Sequence, residues 1–190
     1  MRFNVFSVIL VAAAILPQRA QAAAPAYSYV DTSYVRTDYD GIGSSADGFL
    51  LRGSVGITDN VYLIGHFADQ SVFGVTLRDY GLGAGDAWSV SPATDLYAEL
   101  SIVKLVASYQ GFSVDDTGFG SAVGIRSRVS DRIELEASIN YIEYMETGDD
   151  TTFRAAGRWH FTDHLALQAE TGFGSGANIY QVGLRWTFGD

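Results

Sequence analysis

The chain has 190 residues, a formal charge of −10, 47% hydrophobic and 13% aromatic residues, and no cysteine. So acidic a balance excludes a nucleic-acid binder, which needs basic patches, and so apolar a composition excludes a disordered acidic chain. Without cysteine there are neither disulfides nor thiolate metal sites, so backbone pairing must hold an exported fold.

The first element is a targeting segment. Met1-Arg2, an apolar run from Val5 to Leu16, Pro17 and Ala20-Gln21-Ala22 have the charged start, apolar centre and small-x-small end of a cleaved secretory signal. The run is shorter than the roughly 18–20 residues of a spanning helix. Cleavage is expected after Ala22, giving a signal peptide over 1–22 and one domain over 23–190. No Cys follows, which excludes a lipoprotein anchor. Loss of Arg2 and Arg19 moves the charge from −10 to −12.

Ten segments then alternate apolar with polar or glycine residues, the period of a strand whose two faces meet different surroundings. The first, Tyr27–Thr37, sets Val30, Thr32 and Tyr34 against Asp31 and Ser33. Gly48–Ile57 groups Phe49, Leu51, Val55 and Ile57 against Arg52 and Ser54. Val61–Asp69 groups Val61, Leu63 and Phe67 against Tyr62, Ile64 and His66. Thr76–Trp88 carries Tyr80, Leu82, Ala84 and Trp88 against Asp79 and three glycines.

Asp95–Lys104 sets Leu96, Ala98, Leu100 and Ile102 against Tyr97, Glu99 and Ser101. Thr117–Arg128 sets Phe119, Val123 and Ile125 against Gly120, Gly124 and Arg126. The seventh segment runs Ile133, Leu135, Ala137, Ile139, Tyr141 against Glu134, Glu136, Ser138 and Asn140 without an error. Thr151–Phe161 sets Phe153, Ala155, Trp159 and Phe161 against Arg154, Arg158 and His160. His164–Phe173 sets Leu165, Leu167, Ala169 and Phe173 against Gln168 and Glu170. The tenth, Tyr180–Phe188, sets Tyr180, Val182, Leu184, Trp186 and Phe188 against Gln181 and Arg185.

Short turns such as Thr58-Asp59-Asn60 and Thr162-Asp163 alternate with longer stretches at Asp38–Asp47, Gln70–Val75, Leu105–Asp116, Met145–Asp150 and Gly174–Ile179. Segments of about ten residues, short turns at one end and longer loops at the other, predict a transmembrane antiparallel up-and-down β-barrel. Ten strands satisfy the even parity such barrels show; eight is the alternative if two segments are loop hairpins. A soluble sandwich also alternates, but its outward face would not carry glycine and mid-strand charge.

The aromatics sort by height. Trp88, Trp159, Phe161, Trp186 and Phe188 fall near the short-turn side. Tyr34, Phe49, Phe67, Tyr80, Phe119, Tyr141, Phe153, Phe173 and Tyr180 fall near the loop side. Two such belts mark two membrane interfaces.

Four stretches carry a family resemblance: Tyr27–Val35, Asp47–Ser54, Thr94–Leu100 and Val123-Gly124-Ile125-Arg126. In this order they resemble the small outer-membrane barrels once linked to quorum sensing and, more loosely, OmpA/OmpX-type barrels. The resemblance covers most of the expected mature chain. It implies an outer membrane of a Gram-negative bacterium, no cofactor and no catalytic centre. Such barrels usually end on an aromatic residue read by the assembly machinery; here Gly189-Asp190 follow Phe188, a departure that bears on assembly efficiency.

Charges at mid-strand would each cost about 2–4 kcal/mol against lipid, so they are expected inside. Asp31, Glu99, Glu134, Glu136 and Glu170 then face Arg52, Arg126, Arg154, Arg158 and Arg185 across a narrow lumen. Such groups must pair or stay hydrated, either as a plug of salt bridges or as a selective constriction. Glu99, Glu134, Arg52 and Arg126 are the leading members.

Catalytic and metal sites find little support: His66 lies near Asp69 on the loop side, His160 and His164 at the opposite end, and no serine elbow accompanies them. Acids in the loops (Asp38, Asp40, Asp47, Asp115, Asp116, Glu146, Asp149, Asp150) either bind divalent cations bridging lipopolysaccharide phosphates or are simply solvated. The expectation is a barrel of structural or surface-interaction role, partnered by outer-membrane lipid, lipopolysaccharide, the barrel-assembly machinery and an extracellular partner at the loops. A narrow passive pore is the alternative, and a barrel enzyme a distant third.

Overall fold

Alternation along the chain becomes a single antiparallel sheet closed on itself. The computed structural model describes residues 25–41 and 43–188; the expected signal peptide and the Gly189-Asp190 tail lie outside them. The strands are β1 (Tyr29–Tyr39), β2 (Ser44–Gly56), β3 (Val61–Val72), β4 (Val75–Ser91), β5 (Thr94–Tyr109), β6 (Phe112–Ser130), β7 (Ile133–Tyr144), β8 (Gly148–His160), β9 (Leu165–Phe173) and β10 (Ala177–Thr187). Each pairs with its sequence neighbours, and β1 pairs with β10 to close the barrel. Closure leaves no edge with unpaired backbone groups, the condition for spanning hydrocarbon.

Ten strands stand as the alternation predicts, but the long loops do not. At least half of each expected loop is strand. The clearest case is Leu105–Asp116, which continues β5 and β6 to a two-residue turn at Gln110-Gly111, where φ is +48° and +88°. Phe73-Gly74 makes the same kind of turn between β3 and β4, with φ of +51° and +78°. Positive φ at both central positions matches the right-handed twist of a hairpin. As a result β4, β5 and β6 have 17, 16 and 19 residues, and their outer ends stand above the rest of the barrel.

The wall has an apolar outer band with a sharp upper limit. Tyr34, Phe49, Phe67, Tyr80, Ile102, Phe119, Tyr141, Phe153, Phe173 and Tyr180 share the outward phase of nine successive strand pairs and the closing one. Phe67 stands 5.6 Å from Phe49 and 5.1 Å from Tyr80 between ring centroids. One step further up on β1 to β8, the outward positions turn polar: Arg36, Asp47, Asp69, Arg78, Lys104, Thr117, Glu143 and Thr151. Arg78 bonds Asp69 at 2.8 Å and Lys104 bonds Asp115 at 2.7 Å, both on the outside of the wall. At the other end, Trp159 packs on Phe161 at 4.6 Å and Trp186 on Phe188 at 5.6 Å; Trp88 also points outward, 47% exposed.

Candidate functional site

The second phase of every strand builds the interior, and there polar groups dominate. Asp31, Arg126, Glu134, Arg158 and Arg185 are among the most buried side chains of the described residues. Register explains their proximity. Asp31 lies opposite Arg185, Arg126 opposite Glu136, and Glu134 opposite Arg158. Directly paired positions bring side chains within contact range, and the narrow bore does the rest.

In the turn-side half these pairs fuse. Arg185 donates two hydrogen bonds to Asp31, at 2.7 and 2.8 Å. Arg158 reaches both Glu134 and Glu136 at 2.8 Å. Arg126 bonds Glu136 at 3.0 Å and approaches Glu134 to 3.7 Å, while Arg185 approaches Glu134 to 3.8 Å. Tyr97 donates to Glu136 at 2.6 Å, and Gln168 links Ser33 at 3.0 Å to Arg158 at 3.4 Å. The Tyr29 ring lies 3.6 Å below the Arg185 guanidinium. Removing one member of such a lattice strands a buried charge, at about 3–5 kcal/mol.

Higher up, a looser group forms. Glu170 binds Arg52 at 3.2 Å and Arg154 at 3.6 Å. Glu99 departs from the expectation of an ion pair. No Arg or Lys among the described residues pairs with it; its partner is the Tyr62 hydroxyl, which donates at 2.8 Å. Tyr62 stands on β3, two strands from Glu99 on β5, and its ring reaches Glu99 along the wall over Gly85 of the intervening β4. Two glycines serve these rings. A Cβ at Gly85 would lie 2.3 Å from Tyr62, and one at Gly124 would lie 2.5 Å from Tyr97. Both are slots for an aromatic ring.

The turn-side mouth carries a feature the sequence reading missed. Tyr27 was expected in the first strand, but residues 25–28 precede β1 and fold inward. Tyr27 stacks on Tyr62 at 4.5 Å, and the Arg126 guanidinium lies 4.8 Å over its ring. Arg126 donates to the Ala26 carbonyl at 3.3 Å, and Ser54 to the Tyr27 carbonyl at 2.7 Å. Tyr27 thereby caps the small apolar cluster of Tyr62, Ala87 and Tyr97. A Tyr-x-Tyr run just before an alternating strand was the available signal.

Above the lattice remains a cavity of about 100 Å³. Tyr29, Tyr97, Arg126 and Glu136 line its lower part, and Arg52, His66, Glu99, Asn140, Arg154 and Glu170 its upper part. His66 does not meet Asp69, which faces outward to Arg78. It bonds Asp79 instead, and Tyr144 donates to the other oxygen of Asp79 at 3.2 Å. His160 lies at the turn side against Arg128 at 3.2 Å, and His164 against the Thr187 carbonyl at 3.1 Å. Among the loop acids, Asp38 and Asp47 meet Arg36 and Asp115 meets Lys104, while Asp116 and Asp150 hold turns. Asp116 accepts from the backbone of Glu146 and Thr147 at 3.1 and 2.8 Å, and Asp150 from the Ser175 hydroxyl at 2.8 Å.

A model of the outer membrane protein β-barrel domain matches residues 7–161. The chain belongs to this family. The outer-membrane barrel is therefore a protein of the Gram-negative envelope, its apolar band facing lipid. No curated protein matches the chain. Among solved structures, the barrel resembles the KdgM porin in complex with disordered oligogalacturonate, at 12% identity and a TM-score of 0.51 over 85% of this chain and 99% of that one. It also resembles the β domain of the Bordetella autotransporter BrkA, at 11% identity and 0.53 over 86% and 100%. The N-terminal β-barrel domain of Pseudomonas aeruginosa OprF matches at 12% and 0.48 over 86% and 100%. At these identities the likeness is one of fold.

Proposed function

We propose that this outer-membrane barrel is a closed, non-enzymatic element of the cell envelope, with a structural or surface-contact role in integrity, adhesion or host contact. The observation that carries the reading is the filled turn-side half: the lattice of Asp31, Arg126, Glu134, Glu136, Arg158 and Arg185, sealed by Tyr27. Small barrels have interiors that side chains can fill, and here the filling is paired charge that also fixes register. The two aromatic belts anchor it at the two membrane interfaces. Cleavage after Ala22 would free the segment that caps the mouth.

The second reading, a narrow passive pore, draws on the charge-lined cavity above the lattice. Planar-bilayer recording separates the two. The closed barrel is expected to show no steady single-channel steps; regular steps from wild-type protein would overturn it. His66 with Asp79 is the remaining enzymatic candidate, and peptide or lipid turnover that disappears in His66→Ala would establish that role instead.

A further inference from the structure

Between the two aromatic belts, one charged side chain among the described residues stands in the outward phase: Asp86 of β4. The register sets it directly between Val61 of β3 and Ala98 of β5, while Gly85 and Ala87 on either side of it face the lumen with Tyr62 and Tyr97. Along its own strand, Leu82 and Ala84 point outward above it and Trp88 and Val90 below it. Asp86 therefore lies inside the apolar band, two residues from Trp88 and roughly 5 Å nearer the bilayer centre once strand tilt is allowed for. It breaks the rule that puts the other mid-strand charges inside.

The wall offers this carboxylate no compensation. Oδ1 is buried without a hydrogen-bond partner, and no basic side chain among the described residues pairs with Asp86. Lys and Arg carry a charge from such a depth to the interface along a long stem; the Asp side chain is too short to do so. A charge held against lipid is penalised, and an ionisable residue within a membrane points to a partner. What offsets it must reach Oδ2 from outside the wall.

The surroundings select that partner. Ala84, next above Asp86, lies between Leu63 and Leu100, which are 48% and 72% exposed. This low floor between two protruding leucines leads from the carboxylate toward the bilayer centre, the course an acyl chain takes from a head group in the turn-side leaflet. Beneath it, the turns Thr58-Asp59-Asn60 and Pro92-Ala93 hold one acid and no base, so an anionic head meets no counter-charge. A quaternary ammonium brings charge but no N–H. A primary ammonium brings charge and three donors, the pairing that gives a carboxylate its strong, short hydrogen bonds.

We propose that Asp86 and the floor at Ala84 and Ala98 bind a phospholipid with a primary-ammonium head group in the turn-side leaflet. The ammonium donates to Asp86 Oδ2, the Trp88 ring packs beside the head group, and one acyl chain runs over Ala84 between Leu63 and Leu100. The site lies on the lipid side of the wall and stands whether or not the barrel conducts.

The test is native mass spectrometry of the full barrel released from nanodiscs that hold equal amounts of phosphatidylethanolamine, phosphatidylcholine and phosphatidylglycerol with the same acyl chains. Wild type is expected to retain phosphatidylethanolamine about tenfold over the other two lipids. Asp86→Asn should bring the three to parity, and Asp86→Glu should keep the preference. Ala84→Trp, which fills the floor and leaves the carboxylate in place, should also lower phosphatidylethanolamine retention, whereas Ala155→Trp, outward on β8, should not. Heat-modifiable migration on a gel reports the folding of each variant independently. Equal retention of the three lipids by wild type, or a preference that survives Asp86→Asn, would overturn the site. A dimer present in wild type and lost in Asp86→Asn would assign the carboxylate to a second copy of the chain and overturn the lipid reading as well.

Discussion

Two residues of the lumen illustrate how differently equal-looking charges behave. Arg158 has a side chain with no exposed surface and holds both Glu134 and Glu136. Arg158→Ala leaves two carboxylates with less compensation in a narrow bore and should cost about 3–5 kcal/mol. The measurement is the temperature at which the folded gel band gives way to the unfolded one, which should fall markedly. Glu99→Gln is the contrast. Its partner is a tyrosine hydroxyl, and the amide oxygen can still accept that hydrogen bond. The shift should be small, within about 1 kcal/mol. A Glu99→Gln barrel that melts as early as Arg158→Ala would mean that Glu99 is paired as a charge. Alternation alone tells that both residues face inward, because lipid would penalise the other phase. It cannot tell which partner each one meets, since partners such as Glu170 and Arg52 come from strands 118 residues apart in sequence.

At the scale of strands, the positions were legible and the lengths were not. In β5 the apolar phase occupies Leu96, Ala98, Leu100 and Ile102, then passes to Val103, Leu105, Ala107 and Tyr109. A hydrophobic pattern that changes phase reads as the end of a strand. Here the backbone continues and the surroundings change: outside the wall there is lipid below Ile102 and water above it. The same shift hides the outer ends of β4 and β6. It yields a direct prediction. Single cysteines placed at Lys104 or Ser108 should react with a membrane-impermeant maleimide on intact cells, whereas a cysteine at Leu100 should react only with a lipid-soluble reagent. Labelling of position 100 by the impermeant reagent would move the membrane band and remove the reason for the inversion.

Across the whole molecule, the barrel is asymmetric along its axis. One half is filled by charge pairs and capped by Tyr27; the other holds a cavity beneath an overhanging hairpin. The asymmetry predicts which substitutions change permeability. Tyr27→Ala removes the stack on Tyr62 and the ring beneath Arg126, and Arg126→Ala removes the pairing with Glu136. The double variant should conduct in planar bilayers where wild type does not, while His66→Ala, higher in the bore, should stay silent. Silence of the double variant, with its folded gel band intact, would place the seal elsewhere.

The pairing of Asp31 with Arg185 sits across the one seam that joins the two ends of the domain. A chain that has made all its consecutive hairpins still holds these two opposite charges apart, 154 residues away from each other in sequence. A slip of two residues at that seam would set Asp31 against Gly183 or Thr187 and leave both ions bare. The final zippering step is thus proofread by a fork-shaped electrostatic clasp that engages in one alignment and rejects its neighbours.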